Sequence, residues 1–164
     1  MTGPIPIVYD IHVWVLALTG ESSTYPRIPA IPRRVPTSGN PSAGCLSIAF
    51  DAEEFAVWAS PHILVNTARV LGELGIGEAV VNDYIEAILD VIEASGGQVV
   101  DPPRVAFDSE DFEDNLILDL AVEADALIVV SDDTDLTPLS PWNGRLILRP
   151  FQFVEHMVQS RRNH

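Results

Sequence analysis

A chain of 164 residues, 47% of them hydrophobic, is long enough to bury one proper core and too apolar for global disorder. It has no apolar run of the roughly 18 residues that a membrane span needs, and Met1-Thr2-Gly3-Pro4 lacks the basic and long apolar regions of a signal peptide. A formal charge of −15 argues against a general electrostatic grip on nucleic acid, and the single cysteine, Cys45, precludes an intramolecular disulfide and suits a reducing cytoplasm.

Ile5 to Tyr9 is a short apolar run that stops at Asp10, the pattern of a buried strand ending at a carboxylate. His12 to Leu18 reads as a helix. From Gly20 to Gly44 prolines 26, 29, 32, 36 and 41 alternate with Ser and Gly, which predicts an irregular, partly extended loop. That loop is long for a compact domain and carries Arg27, Arg33 and Arg34. These three make residues 1–50 net positive against Asp10 and Glu21.

Phe55 to Ala59 is a second strand, after which Ser60 can cap and Pro61 can start a helix over His62 to Leu74. Gly75 and Gly77 break it, and Glu78 to Ala94 presents Val80, Val81, Tyr84, Ile85, Ile88, Leu89 and Ile92 on one helical face. Gln98 to Val100 reads as a third strand, Asp111 to Ala124 as a helix, Leu127 to Ser131 as a fourth strand and Leu146 to Leu148 as a fifth. Pro150 to Gln159 is a terminal helix with Arg161 and Arg162 at its end. Strands alternating with helices imply an α/β domain over residues 1–164, its largely parallel five-stranded sheet covered on both faces in three α/β/α layers.

The stretch Phe107 to Leu136 holds eleven Asp or Glu residues and no Lys or Arg. They gather at a helix start (Glu110-Asp111-Phe112-Glu113-Asp114) and at a strand end (Ser131-Asp132-Asp133-Thr134-Asp135), where an open α/β sheet places its site. If the first and fourth strands are neighbours, Asp10, Asp114 and Asp133 reach one carboxyl edge. Converging carboxylates repel unless a cation neutralises them, and oxygen ligands without Cys or paired His point to Mg²⁺ or Mn²⁺ rather than zinc. Taken singly, each has a plainer reading: Asp10 and Asp133 as turn residues, Asp114 as a helix N-terminal charge. His12, two residues after Asp10, could ligate, hydrogen-bond a phosphate, act as an acid or base, or simply pack. His62 reads as structural, Ser131 as a support for Asp133, and Trp14, Trp58 and Trp142 as core or partner-contact residues, with Trp142 on a turn that could expose it.

No phosphate-binding Gly-rich loop with its lysine, no Gly-x-Gly-x-x-Gly and no Gly-x-Ser-x-Gly elbow occurs. The absence of any lysine also argues against phosphoaspartyl phosphatases and receiver domains.

Four segments, Ile7 to Trp14, Ser60 to Asn66, Glu113 to Ala121 and Val129 to Leu136, together resemble the PIN domain, the ribonuclease fold of VapC-type toxins in bacterial toxin–antitoxin pairs. Ile7-Val8-Tyr9-Asp10-Ile11-His12-Val13-Trp14 is similar to the family's strand-Asp-x-Asn-Val opening, with His12 in place of the Asn. Ser60 to Asn66 resembles the segment bearing its second acid, which is Asn66 here; Glu73, Glu53 and Glu54 are the nearby carboxylates that could substitute. Glu113 to Ala121 resembles the third acidic motif, and Val129 to Leu136 the Val-Thr-Gly-Asp-x-Asp-Leu signature.

The resemblance implies a metal-dependent endoribonuclease in which Asp10, Asp114 and Asp133 hold Mg²⁺ or Mn²⁺. His12, Asn66, Asn115, Ser131 and Asp135 would be secondary contacts, and Arg33 and Arg34 would track the RNA backbone. It further implies an RNA substrate, a basic antitoxin partner, a homodimer and a cytoplasmic location. Two other readings follow from the departures at Asn66 and His12 and from the Pro-rich loop. One is a degenerate PIN domain that binds RNA or protein without cleaving; the other is an interaction module that docks through residues 25–41.

Overall fold

The computed structural model describes residues 3–20, 40–51 and 53–162. The elements in order are β1 (Ile5–Tyr9), α1 (Ile11–Thr19), α2 (Pro41–Asp51), β2 (Phe55–Trp58), α3 (Pro61–Glu73), α4 (Glu78–Ser95), α5 (Phe112–Glu123), β3 (Ile128–Val130), β4 (Leu146–Leu148) and α6 (Pro150–Arg162). A short 3-10 turn at Thr137–Leu139 joins β3 to β4. The strands form one parallel sheet in the order β2-β1-β3-β4, flanked by helices, so the architecture is the expected α/β.

β1 lies inside the sheet, and its Ile7, Val8 and Tyr9 are wholly buried, as a strand covered on both faces requires. Its register sets Tyr9 beside Val130, and the Asp10 N–H continues that ladder to the Val130 carbonyl at 2.9 Å. The first residues after β1 and after β3 therefore leave the sheet side by side. The Tyr9 hydroxyl donates to the Cys45 carbonyl of α2 at 2.8 Å, and Tyr84 of α4 donates to the Trp14 carbonyl of α1 at 2.6 Å. Tyr9 packs against Trp14 and Phe153, and Phe55 against Phe153, tying β1, β2, α1 and α6 together. Helix α3 begins as its sequence suggests, with the Ser60 hydroxyl accepting from the Ile63 N–H and Pro61 in the first turn.

The structure departs from the sequence reading in two places. The expected third strand at Gln98–Val100 makes only an isolated parallel bridge, Val99 to Ala59, so among the described residues the sheet has four strands rather than five. Asp101-Pro102-Pro103 follows immediately, and prolines supply no N–H with which to extend a ladder. The expected irregular loop ends at residue 40, because Pro41 starts α2 instead of continuing the loop. Asn40 supplies the Oδ1 that accepts the Ala43 N–H, and proline in a first turn gives up only an N–H that would have no partner there. Residues 21–39, including Arg27, Arg33 and Arg34, lie outside the described residues. Of the two readings open for Trp142 the structure shows the buried one, its indole N–H donating to the Asp108 carboxylate at 2.5 Å.

Gly97 marks the tightest approach between α4 and the sheet: a Cβ there would lie 1.7 Å from the Val57 carbonyl oxygen. Gly97→Ala must displace backbone, and is expected to lower stability by at least the ~1–3 kcal/mol of core overpacking. Urea unfolding measures this, and an unchanged midpoint would contradict the close approach.

Candidate metal centre

Asp10 follows β1 and caps α1, its Oδ1 accepting the Ile11 N–H at 2.7 Å. Its other oxygen accepts the hydroxyl of Ser131, the residue after β3, at 2.7 Å. The same Ser131 Oγ accepts the Asp133 N–H at 3.0 Å, so one buried hydroxyl fixes two acidic residues. Asp133 Oδ1 in turn accepts the Asp135 N–H at 2.7 Å, closing the turn after the strand. Asp114 arrives from the first turn of α5, whose N-cap Asp111 accepts the Glu113 N–H.

One carboxylate oxygen from each of Asp10, Asp114 and Asp133 lies within 4.8 Å of the others. A second group, Asp111, Asp114 and Asp135, meets the same criterion and shares Asp114. Burial pushes the Asp10 carboxyl above its ordinary range, opposed by the Ser131 and Ile11 hydrogen bonds and by His12. For Asp114, burial first and then the charges of Asp133, Asp111 and Asp10 raise the pKa to about 7. Burial and converging charge thus both disfavour the ionised form of Asp114 unless a cation offsets them. Oxygen donors from three acids, one of them already oriented by Ser131, fit a hard divalent ion such as Mg²⁺ or Mn²⁺.

The acids border a cleft of about 170 Å³ lined also by His12, His62, Asn66, Arg69, Asp111 and Glu113. His12 is exposed on its rim. Asn66 is in the cleft, but its amide is engaged: Oδ1 accepts from Arg69 Nε and Nη2, and Nδ2 donates to the His62 ring and carbonyl. Asn115 is buried beside Asp114 and holds the backbone of Ser109 through both ends of its amide. Asp135 is exposed and meets the acids through the second group. None of the three substitute carboxylates reaches the cleft. Glu73 is exposed and pairs with Arg69, and Glu53 and Glu54 precede β2 at the end of the sheet away from Asp10.

His62 and Arg69 were not legible as site residues, although residues 62, 66, 69 and 70 share a helical face next to the buried stripe Ile63, Thr67 and Leu71. Asp119 also escaped notice. It is buried, accepts the Val105 and Ala106 N–H groups at 2.8 and 2.7 Å, and pairs with Arg104 at 2.6 Å. Arg104 stacks over Phe107 and Phe112, which anchors the segment leading into α5.

A family model described as PIN domain matches residues 6–135, the span from β1 through all three clustered acids. The chain belongs to the PIN-domain family. PIN domains are typically metal-dependent nucleases, so nuclease chemistry on RNA and a divalent cation are the general expectation for the carboxylate cluster. No curated protein matches the chain. Among the described residues no helix is long and apolar enough to cross a membrane.

Two predictions follow from the protonation of this PIN domain's acids. Asp114 titrates near 7 in the fold against an ordinary 3.8, so the neutral acid is favoured by folding. Without divalent metal, the stabilisation present below pH ~4 should be lost as pH rises towards ~7. The melting temperature in EDTA should fall across that window, and Asp114→Asn should flatten the fall; equal slopes would contradict the assignment. Ser131→Ala, which frees both Asp10 and the Asp133 turn, should weaken Mn²⁺ binding by about 10- to 100-fold in calorimetric titration. Unchanged affinity would show that Ser131 does not orient a ligand.

Proposed function

We propose that this PIN domain is a metal-dependent endoribonuclease that acts as the toxin of a toxin–antitoxin pair. The observation that carries the reading is the convergence of Asp10, Asp114 and Asp133 at one sheet edge, with Asp114 raised to about 7. These three residues would hold Mg²⁺ or Mn²⁺. When bound, the ion would supply an activated water and stabilise charge on the phosphate oxygens.

The chain's own residues do the rest. Ser131 keeps one Asp10 oxygen fixed and ties the Asp133 turn to it, so two ligands move as a unit. Asp114 would have to ionise to hold the ion, so activity would rise with pH towards ~7. His12, on the rim, offers an imidazole that can hydrogen-bond a phosphate or pass a proton to a leaving oxygen. Asn115 holds the Ser109 segment and thereby the entry to α5, a supporting role. Arg33 and Arg34 are proposed to track the RNA backbone, and Asp135 to serve the second carboxylate group.

An acidic body of net charge −15 suits a basic antitoxin. A second copy of the chain is the expected partner for the apolar surface where Phe151 is half-exposed on α6. A buried, reduced Cys45 accords with the cytoplasm.

One observation favours a second reading: Asn66 spends its amide on Arg69 and His62, which suits a domain that binds RNA without cutting it. Cleavage of a mixed single-stranded RNA separates the two. Cleavage is expected in Mn²⁺, not in EDTA, and Asp10→Asn should reduce it by more than the ~100-fold upper range seen when a ligand's neighbour is changed. A folded, partner-free protein that cuts in no metal would be a binding domain.

A further inference from the structure

We propose that Arg69, positioned by Asn66, is the phosphate-binding wall of the cleft, gripping an RNA phosphate opposite the acids; this rests on the ribonuclease reading. The cleft has two unlike sides. Asp10, Asp111, Asp114 and Asp133 form one, and α3 supplies the other with His62, Asn66 and Arg69. Among the described residues Arg69 is the only arginine lining it. A chain of net charge −15 has little else there to offset a phosphodiester once the acids hold their ion.

The hydrogen bonds around Arg69 leave it available. A guanidinium has five N–H donors. Asn66 Oδ1 takes one on Nε and one on Nη2, at 3.2 and 3.1 Å, and Glu73 takes one on Nη1 at 2.7 Å. Among the described residues that leaves one donor on each Nη, the pair with which arginine grips a phosphate in a two-pronged fashion. The pair with Glu73 is exposed on both sides, the class of ion pair whose net worth is small, and a phosphate can displace it.

The identity of residue 66 is what makes this possible. An acid at that position would neutralise the guanidinium and add charge to the metal side. The neutral amide of Asn66 accepts the same two N–H groups and leaves the positive charge intact. The amide's other end donates to His62 Nδ1, which makes that nitrogen the acceptor and places the ring proton on Nε2. That N–H is buried with no partner among the described residues. The departure from the family pattern at Asn66 thus exchanges a carboxylate for a held cation.

The experiment measures binding of a single-stranded RNA oligonucleotide in Ca²⁺ by fluorescence anisotropy over a salt series, alongside Mn²⁺ titration calorimetry without RNA. Arg69→Gln is expected to weaken RNA binding about tenfold and to reduce the log–log salt slope by ~0.7, the loss of one phosphate contact on a single strand. Mn²⁺ affinity should stay unchanged, and Arg69→Lys should restore part of the RNA binding. Glu73→Gln, which removes the competing carboxylate, is expected to bind RNA more tightly than the parent. Unchanged affinity and salt slope in Arg69→Gln would overturn the proposal, as would loss of Mn²⁺ binding in that variant or weaker binding in Glu73→Gln. If the parent protein proves unable to cleave RNA, the ribonuclease reading fails, while these binding measurements still decide the role of Arg69.

Discussion

Carboxylate repulsion, held in check by the fold, is the constraint on which the site depends. Oxygens of Asp10, Asp114 and Asp133 sit within 4.8 Å of one another, and burial removes the water that would screen them. The parallel pairing of β1 with β3 makes this proximity unavoidable, because it releases Asp10 and Ser131 side by side. Hydrogen bonds from Ile11 and Ser131 support the Asp10 charge, whereas Asp114 receives a long contact, 3.4 Å, from the Ser109 hydroxyl, and its hydrogen bond with Asp133 favours the protonated form. Burial first, and the charges of Asp133, Asp111 and Asp10 after it, raise Asp114 to about 7. The arrangement sacrifices stability in the metal-free protein for a site that a divalent ion relieves.

The two sides of the cleft come from parts of the chain that fold by different rules. The acidic side sits at strand ends and a helix N-terminus, where backbone N–H groups and the helix dipole favour negative charge. The opposite side is the exposed face of α3, a helix whose other stripe, Ile63, Thr67 and Leu71, is wholly buried. Core packing thus fixes the height and rotation of Arg69 without spending its charge. Asp119 does comparable work at a distance, since its bonds to Arg104 and to the 105–106 backbone hold the segment from which α5 and Asp114 start.

Much of this was readable in the residues. Continuous apolar runs ending at acids, Ile5 to Asp10 and Leu127 to Asp133, specify buried parallel strands and their functional edge together. Ser60-Pro61 specified the start of α3 because both residues have a definite physical role in a first turn. Helix α2 was not legible, since Ser42 to Ala49 is buried all round and has no polar stripe to reveal a period, and Pro41 reads equally well as a breaker. The strand expected at Gln98 failed because its pairing is limited by prolines just beyond it. Asp119 looked like one more acid in a run of eleven; its partner Arg104 lies 15 residues away in a segment without periodic structure. Arg69 was missed for a related reason, because an arginine four residues before Glu73 is ordinarily a solvated helix pair.

The central claim is that the clustered acids form a proton-loaded metal site. The most direct test is Mn²⁺ titration calorimetry at pH 6.5 in two buffers of different ionisation enthalpy. The account predicts saturable binding with release of a substantial fraction of one proton per chain, because Asp114 must ionise to accept the ion. Binding without proton release would contradict the raised Asp114. No binding by the folded protein would contradict the metal centre itself.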